Sequence, residues 1–106
     1  MSKKGTSEEF PFDTSTLVFK VMGKIFTLTN VDNFDKVNLK CDPELAIQLR
    51  EKYQGVSPGY HMNKKHWNTV CVNKDINDIQ LKTWIDYSYT LVVKGLPSKL
   101  RLELDQ

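Results

Sequence analysis

The 106-residue sequence lacks several features that would place it in a specialised class of protein. No apolar run approaches the roughly 18 to 20 residues that span a bilayer, and no apolar signal-peptide segment follows the first residues. It contains no internal repeat and no low-complexity tract. These absences predict a cytoplasmic protein of one domain, residues 1–106, with residues 1–9 flexible.

Cysteine is scarce, and no motif of catalysis is present. Cys41 and Cys71 have no CxxC spacing, which favours reduced, buried thiols over a disulfide framework or a redox motif. Ser57, Ser88 and Cys71 are possible nucleophiles, but none lies in a nucleophile elbow, a phosphate loop or a metal-hydrolase spacing. We therefore expect a protein that is not an enzyme and that has no cofactor.

Acidic residues are missing from one long segment. Residues 52–74 hold four lysines and no aspartate or glutamate, whereas the rest of the chain has more acidic than basic residues. The net charge of +2 therefore arises within this segment. A local excess of positive charge indicates more about binding partners than a small charge spread over the whole chain would.

Alternating apolar residues predict three strands in the first part of the chain. The stretch from Leu17 to Leu28 fits two strands with a turn at Gly23-Lys24, a register that pairs Val21 with Phe26. A turn one residue earlier would set Lys24 opposite Val21 and is less favoured. A third, short strand is expected at residues 37–41.

Two helices are predicted from capping residues and from periodicity. Asp42 is a candidate N-cap with Pro43 at the first helical position, and Gly55 lies just past the expected end. From Asp78, apolar residues recur at spacings of three and four, which favours a longer second helix that ends or bends at Pro97.

Between the helices lies PGYHMNKKHWNTV, residues 58–70, which we interpret as a hairpin. A turn at Asn63-Lys64 would pair Tyr60 with Trp67 on one face and His61 with His66 on the other. A four-residue loop from Met62 to Lys65 fits nearly as well. The whole order is three strands, a helix, two strands and a helix, which predicts a two-layer α+β fold with a five-stranded antiparallel sheet.

Four interpretations of this hairpin are considered: a metal site, a catalytic loop, a nucleic-acid contact and a solvated tip, the last with a protein-binding surface as its functional variant. A metal site would need three or four ligands, and only the two histidines are near one another, so no metal is expected. Hairpin-tip lysines could contact phosphates, aromatic rings could stack on bases or brace the hairpin, and amides could bond to base edges. The candidate nucleic-acid-binding residues are Tyr60, His61, Asn63, Lys64, Lys65, His66 and Trp67, with Lys24 at the other turn.

The remaining interpretations assign the tip no role with nucleic acid. In the first, the lysines lie at the tip only because tips are solvated, and the aromatic residues pack in the core. Alternatively, the sheet could be a protein-interaction or chaperone-like surface, because two helices would leave Val18, Met22 and Ile25 exposed.

Several stretches of the sequence resemble one family. FPFD at 10–13, LVFKVMGKIF at 17–26, VNLKCDPELA at 37–46, PGYHMNKKHWNTV at 58–70 and IDYSYTLVVKGLP at 85–97 are similar to the MmcQ/YjbR family of small bacterial proteins. The resemblance implies a CyaY-like or secretion-chaperone-like fold with helices on an antiparallel sheet. It also implies DNA binding through a proposed double wing, whose tips would be Gly23-Lys24 and Asn63-Lys64-Lys65.

The start of the chain departs from this family pattern. Members usually have a helix before the FPFD segment, and here only nine residues precede Phe10. We therefore expect that helix to be missing. The uncovered sheet then predicts a homodimer or a less stable monomer.

Overall fold

The computed structural model describes residues 3–30, 35–59, 62–72 and 74–104, which form a sheet with helices on one side. The antiparallel sheet has six strands in the order β1-β2-β3-β4-β6-β5. The predicted α+β class is confirmed, with one strand and one helix more than expected. The strands are β1 Thr6–Glu9, β2 Thr16–Val21, β3 Lys24–Asn30, β4 Lys36–Lys40, β5 Val56–Pro58 and β6 Trp67–Cys71, and the helices are α1 Pro43–Lys52, α2 Asp78–Lys94 and α3 Ser98–Leu104.

The additional strand lies within the nine residues that we expected to be flexible. β1 pairs with β2 from Thr6 opposite Val21 to Glu9 opposite Val18. The Lys20 ammonium lies 3.3 Å from the Glu9 carboxylate across this pair. The sequence TSEE has no apolar alternation, so backbone pairing with β2, rather than its own side chains, makes it a strand.

The β2/β3 turn is not the predicted one. Val21 pairs with Lys24, so Met22 and Gly23 form the turn, and both have positive φ angles of 48° and 83°. This is type I′ geometry, which prefers glycine at the second position. A bulge between Phe19 and Lys20 then shifts the register, and Val18 comes opposite Leu28. The predicted pairing of Val21 with Phe26 is therefore wrong.

The two predicted helices begin where their caps indicate. The Asp42 carboxylate accepts hydrogen bonds from the backbone of Glu44 and Leu45, and α1 starts at Pro43. α2 starts at Asp78 behind an Asn77/Gln80 capping box. The third helix, α3, follows Pro97 and buries Leu104 against Val21, Phe26 and Val92.

All three helices pack on the same face of the sheet, which we call the helix face. Its core has one cluster around Val37, Leu39 and Val70 under α1 and α2, and a second around Val21 and Phe26 under α2 and α3. The other side, which we call the open face, carries the cluster of Val18, Leu28 and Trp67 with the half-buried Ile25 and Met62. No described helix contributes to that third cluster.

The open face is less exposed than the sequence predicted. Val18 is fully buried and Ile25 is half-buried on this face, whereas the half-buried Met22 packs against Val21 and Phe26 of the helix face. The prediction that these three residues are exposed is therefore wrong for Val18. The β5/β6 connection brings Met62 onto this face, and that contact cannot be read from the residues of β2 and β3 alone.

Candidate nucleic-acid interface

The two predicted basic tips lie at the same end of the sheet. Leu39 of β4 pairs with Thr27 of β3, and Lys40 pairs with Trp67 of β6. The Cys41 backbone N–H then donates to the His66 carbonyl oxygen at 2.7 Å. The start of β3 and the residues before β6 therefore lie on either side of the end of β4. Two strand spacings separate their backbones by about 10 Å.

The second tip is a longer connection than expected. Pro58 pairs with Asn68, and the Gly59 N–H donates to the Trp67 carbonyl oxygen at 2.9 Å. The register is thus one residue away from the predicted pairing of Tyr60 with Trp67. The connection runs from Gly59 to His66, so neither the two-residue turn nor the four-residue loop forms.

Asn63 explains this difference by capping a single helical turn. Its side-chain oxygen accepts hydrogen bonds from the backbone N–H groups of Lys65 at 2.9 Å and His66 at 3.2 Å. Its carbonyl oxygen accepts from the Trp67 N–H at 3.0 Å. Asparagine favours such local capping, whereas a tight primed turn needs glycine. Tyr60 and His61, and with them the predicted histidine pair, lie outside the described residues.

Arg50 of α1 anchors the second tip to the helix layer. Its Nε donates to the Asn68 side-chain oxygen at 2.6 Å, and its Nη2 donates to the carbonyl oxygens of Trp67, at 3.2 Å, and of Lys64. Asn68 is buried and donates in turn to the Ala46 carbonyl oxygen at 3.4 Å. Sequence reasoning missed Arg50, because no local pattern indicates a contact between α1 and a loop 14 residues later.

The tip lysines differ in how free their ammonium groups are. Lys64 Nζ donates to the Gly59 carbonyl oxygen at 3.0 Å, so this charge folds back on its own loop. Lys24 and Lys65 are exposed and make no ion pair with any described residue. Asp42 lies at the same end, but its carboxylate faces the first N–H groups of α1. Of the three tip lysines, Lys24 and Lys65 are therefore the more available to an anion.

The other candidate residues of the hairpin are packed against the protein. Trp67 is only 9% exposed and lies in the open-face cluster with Val18 and Leu28. A Cβ on Gly59 would lie 2.7 Å from the Trp67 Cβ, which shows how closely the hairpin strands approach there. His66 is half-buried. Of the two functions considered for Trp67, the buried position favours bracing the hairpin.

The Cys41 thiol and the Ser88 hydroxyl, one of the possible nucleophiles, have structural surroundings. Burial raises the pKa of the Cys41 thiol to about 11, so this group stays protonated at neutral pH. The Ser88 hydroxyl donates to the Phe26 carbonyl oxygen at 2.7 Å and accepts from the Lys40 N–H at 2.9 Å. Within the described ranges, no three His, Cys, Asp or Glu side chains are grouped as metal ligands would be. None of the described helices has the length and apolar character needed to cross a bilayer.

Comparison with known proteins places the chain in a family. A family model described as YjbR matches residues 1–91. The chain belongs to the YjbR family. It is 36% identical over 107 residues to the uncharacterized protein YjbR of Escherichia coli K12, covering 100% of this chain and 91% of that protein. This result confirms the family indicated by the sequence resemblance.

Other family members agree in sequence and in structure. The uncharacterized protein YbdF of Escherichia coli O157:H7 is 40% identical over 91 residues, covering 85% of this chain and 75% of YbdF. The crystal structure of Deinococcus radiodurans protein DR2400, described with the domain DUF419, superposes with a TM-score of 0.90 at 39% identity. That superposition covers 98% of this chain and 80% of DR2400.

Proposed function

We propose that this protein binds double-stranded DNA through the two hairpin tips, without reading base sequence and without catalysing a reaction. The observation that supports this proposal is the position of Lys24 and Lys65 at one end of the sheet, on separate tips. Lysines on two separate hairpin tips can contact phosphates at two points and so orient a duplex. One isolated lysine pair could not do so.

The spacing of the tips suits a duplex. Backbones about 10 Å apart, extended by two flexible lysine side chains, match the roughly 12 Å width of the major groove of B-DNA. Trp67 is buried, so it does not offer a stacking surface to an unpaired base. Asn63 uses its side-chain oxygen within the tip, and its contribution is to hold Lys65 in place.

The proposed contacts predict weak, salt-sensitive binding. Two or three phosphates neutralised by Lys24, Lys65 and Lys64 give a slope of about −2 to −3 in log affinity against log salt. Affinities near the non-specific range of about 10⁻⁴ to 10⁻⁶ M would follow. Higher affinity would require a second copy of the chain or further contacts.

The experiment compares two double charge reversals. Lys24→Glu/Lys65→Glu changes the tips, and Lys74→Glu/Lys82→Glu makes the same charge change at exposed positions that follow the far end of β6. Fluorescence anisotropy with labelled duplex and single-stranded DNA, between about 50 and 200 mM salt, measures binding. We expect the tip variant to lose duplex binding and the control to keep most of it.

Two results would overturn the proposal. One is an absence of duplex binding by the unaltered protein at the lowest salt concentration. The other is an equal loss in both double variants, which would show that net charge, and not the position of the tips, governs binding. Preference for single-stranded DNA would reject the duplex geometry while retaining the basic tips.

A further inference from the structure

The open face of the sheet contains a cavity that the proposed DNA contacts do not use. Its volume is about 570 Å³. Leu28 and Ile25 of β3 supply apolar surface from the sheet, and Phe12 and Met62 reach it from two different connections. The β1/β2 connection provides Phe12, and the β5/β6 connection provides Met62. The cavity therefore lies between the sheet and these two connections, with Asp35 of the β3/β4 connection also in its lining.

Both size and lining are those of a small-molecule site. Ligand cavities commonly measure about 300 to 1,000 Å³ and combine apolar walls with a few hydrogen-bonding groups. Here the polar groups include the side chains of Thr16, Asn38 and Thr69. A packing defect of the core would lack these polar groups and would be far smaller.

The polar side of the cavity is organised by a hydrogen bond. The Thr69 hydroxyl donates to the Asn38 side-chain oxygen across the β4/β6 pair. That bond orients the carboxamide and leaves its Nδ2 group without a hydrogen-bond acceptor among the described residues. A ligand with an acceptor atom could take this position.

Phe12 is the most exposed of the described apolar residues that line the cavity. Its side chain is 69% exposed although it lines the cavity with Met62. Packing an aromatic ring against Phe12 would bury part of that surface, and such pairs are favourable beyond their area. Among the described residues of the lining, the charged ones are Asp35 and Lys36, whose opposite charges give no net preference for an ion.

From this lining we infer that the cavity binds a planar aromatic small molecule without net charge, whose acceptor atom receives a hydrogen bond from Asn38. Such a molecule would pack between Phe12 and Met62 and over Leu28. Lys24 and Lys65 are not among the lining residues, so the inference does not depend on DNA binding. DNA binding could fail while this site remains.

Prodan, a neutral naphthalene dye with one carbonyl acceptor, is a suitable probe because its emission shifts to the blue in apolar surroundings. We expect saturable binding to the unaltered protein with such a shift. In two-dimensional NMR spectra, the Asn38 side-chain amide and the methyl groups of Leu28 and Ile25 should move on titration. These groups report the site itself, independently of fluorescence.

A matched pair of variants tests the role of Phe12. Phe12→Ala should weaken prodan binding about three- to tenfold, the range expected for loss of one aromatic contact. Phe10→Ala removes a neighbouring aromatic side chain that is 49% exposed and does not line the cavity, so it should change affinity by less than about twofold. Both side chains are exposed, so both variants should fold.

The inference is wrong if prodan shows no saturable binding. It is also wrong if Phe12→Ala and Phe10→Ala bind the dye equally well. NMR shifts confined to the helix face would likewise reject it, because they would place the dye outside this cavity.

Discussion

The tips of the two hairpins lie at the same end of the sheet, but different interactions hold them in place. The β2/β3 tip is a two-residue turn made by its own backbone, and a Cβ on Gly23 would meet no atom within 4 Å. The β5/β6 tip is an eight-residue connection, Gly59 to His66, that is fixed by hydrogen bonds with Arg50, Asn63 and Trp67. One tip is therefore shaped locally and the other by distant residues.

This difference has a consequence for the proposed DNA contacts. Lys24 should keep its position in any variant that preserves the β2/β3 turn. Lys65 depends on a helix that is remote from it in sequence, because Arg50 contacts the carbonyl oxygens of Lys64 and Trp67. Substitutions in α1 can therefore alter the second tip, but not the first.

The largest effect is expected from Arg50→Met. This change removes the three described hydrogen bonds that Arg50 donates to Lys64, Trp67 and Asn68, and it leaves the buried Asn68 side-chain oxygen without its donor. The loss of these hydrogen bonds, with one buried acceptor left unsatisfied, should lower the free energy of unfolding by about 2–3 kcal/mol. Urea denaturation measures this value, and amide hydrogen exchange should rise at residues 62–66 but not at Met22 and Gly23.

Two further variants decide whether hydrogen-bond geometry is responsible. Arg50→Lys should not restore stability, because an ammonium cannot reproduce the planar fork of donors. Arg101→Met, on an exposed position of α3, should change stability by less than about 0.5 kcal/mol. Equal exchange at both tips in Arg50→Met would contradict the distinction between them.

Local signals predicted α1 and α2 well, but not α3. Asp42 and Pro43 place the start of α1, and the apolar spacing of three and four predicted a long helix from Asp78, where α2 begins. Ser88 and Val92 of α2 are buried. Capping groups and apolar spacing act within a few residues, so a single sequence contains them.

Nonlocal effects explain what the sequence did not predict. The pairing of large apolar residues suggested one β2/β3 register, whereas turn geometry and a bulge determined another. The exposure of Lys24 and Lys65 follows from their turns, but the burial of Trp67 depends on Val18 and Leu28 of other strands. Arg50 could not be found, since its partners are set by the docking of α1.

A pair of glycine substitutions sharpens the comparison at an intermediate scale. Gly59→Ala would place a Cβ 2.7 Å from the Trp67 Cβ and 3.0 Å from its carbonyl oxygen, so the strands must separate, at about 1–3 kcal/mol. Gly23→Ala meets no atom within 4 Å, and its φ of 83° alone should cost about 1 kcal/mol.

Thermal unfolding and amide exchange separate these two causes. Gly59→Ala should increase exchange in the β5/β6 tip, whereas Gly23→Ala should act only near its own turn. Gly95→Ala is a suitable control, because its φ is −83° and a Cβ would approach nothing closer than 3.6 Å. If Gly59→Ala were as mild as Gly95→Ala, close packing at the second tip would be refuted.

The smallest effect on stability is expected at the ends of the hairpins that lie opposite the tips. There, one aspartate carboxylate accepts backbone hydrogen bonds at the start of each hairpin. Asp13 accepts hydrogen bonds from the backbone N–H groups of Thr16 and Ser15, which lower its pKa below the ordinary value of 3.8. Asp75 accepts from Gly55 and Gln54. Desolvation acts to raise the Asp75 pKa, but these bonds outweigh it and the pKa is lowered.

A lowered pKa in the folded state stabilises the protein fully above the ordinary value of 3.8, and this stabilisation is lost as the pH falls below it. The free energy of unfolding should therefore decrease with acidification from about pH 5 to pH 3. Asp13→Asn and Asp75→Asn should each reduce that decrease, because the amide does not titrate. Urea denaturation across this range measures the slope. The two hairpins differ at their tips but share a hydrogen-bonded aspartate at their other ends, so both variants should make the free energy of unfolding depend less on pH. A change in only one variant would limit this mechanism to that hairpin.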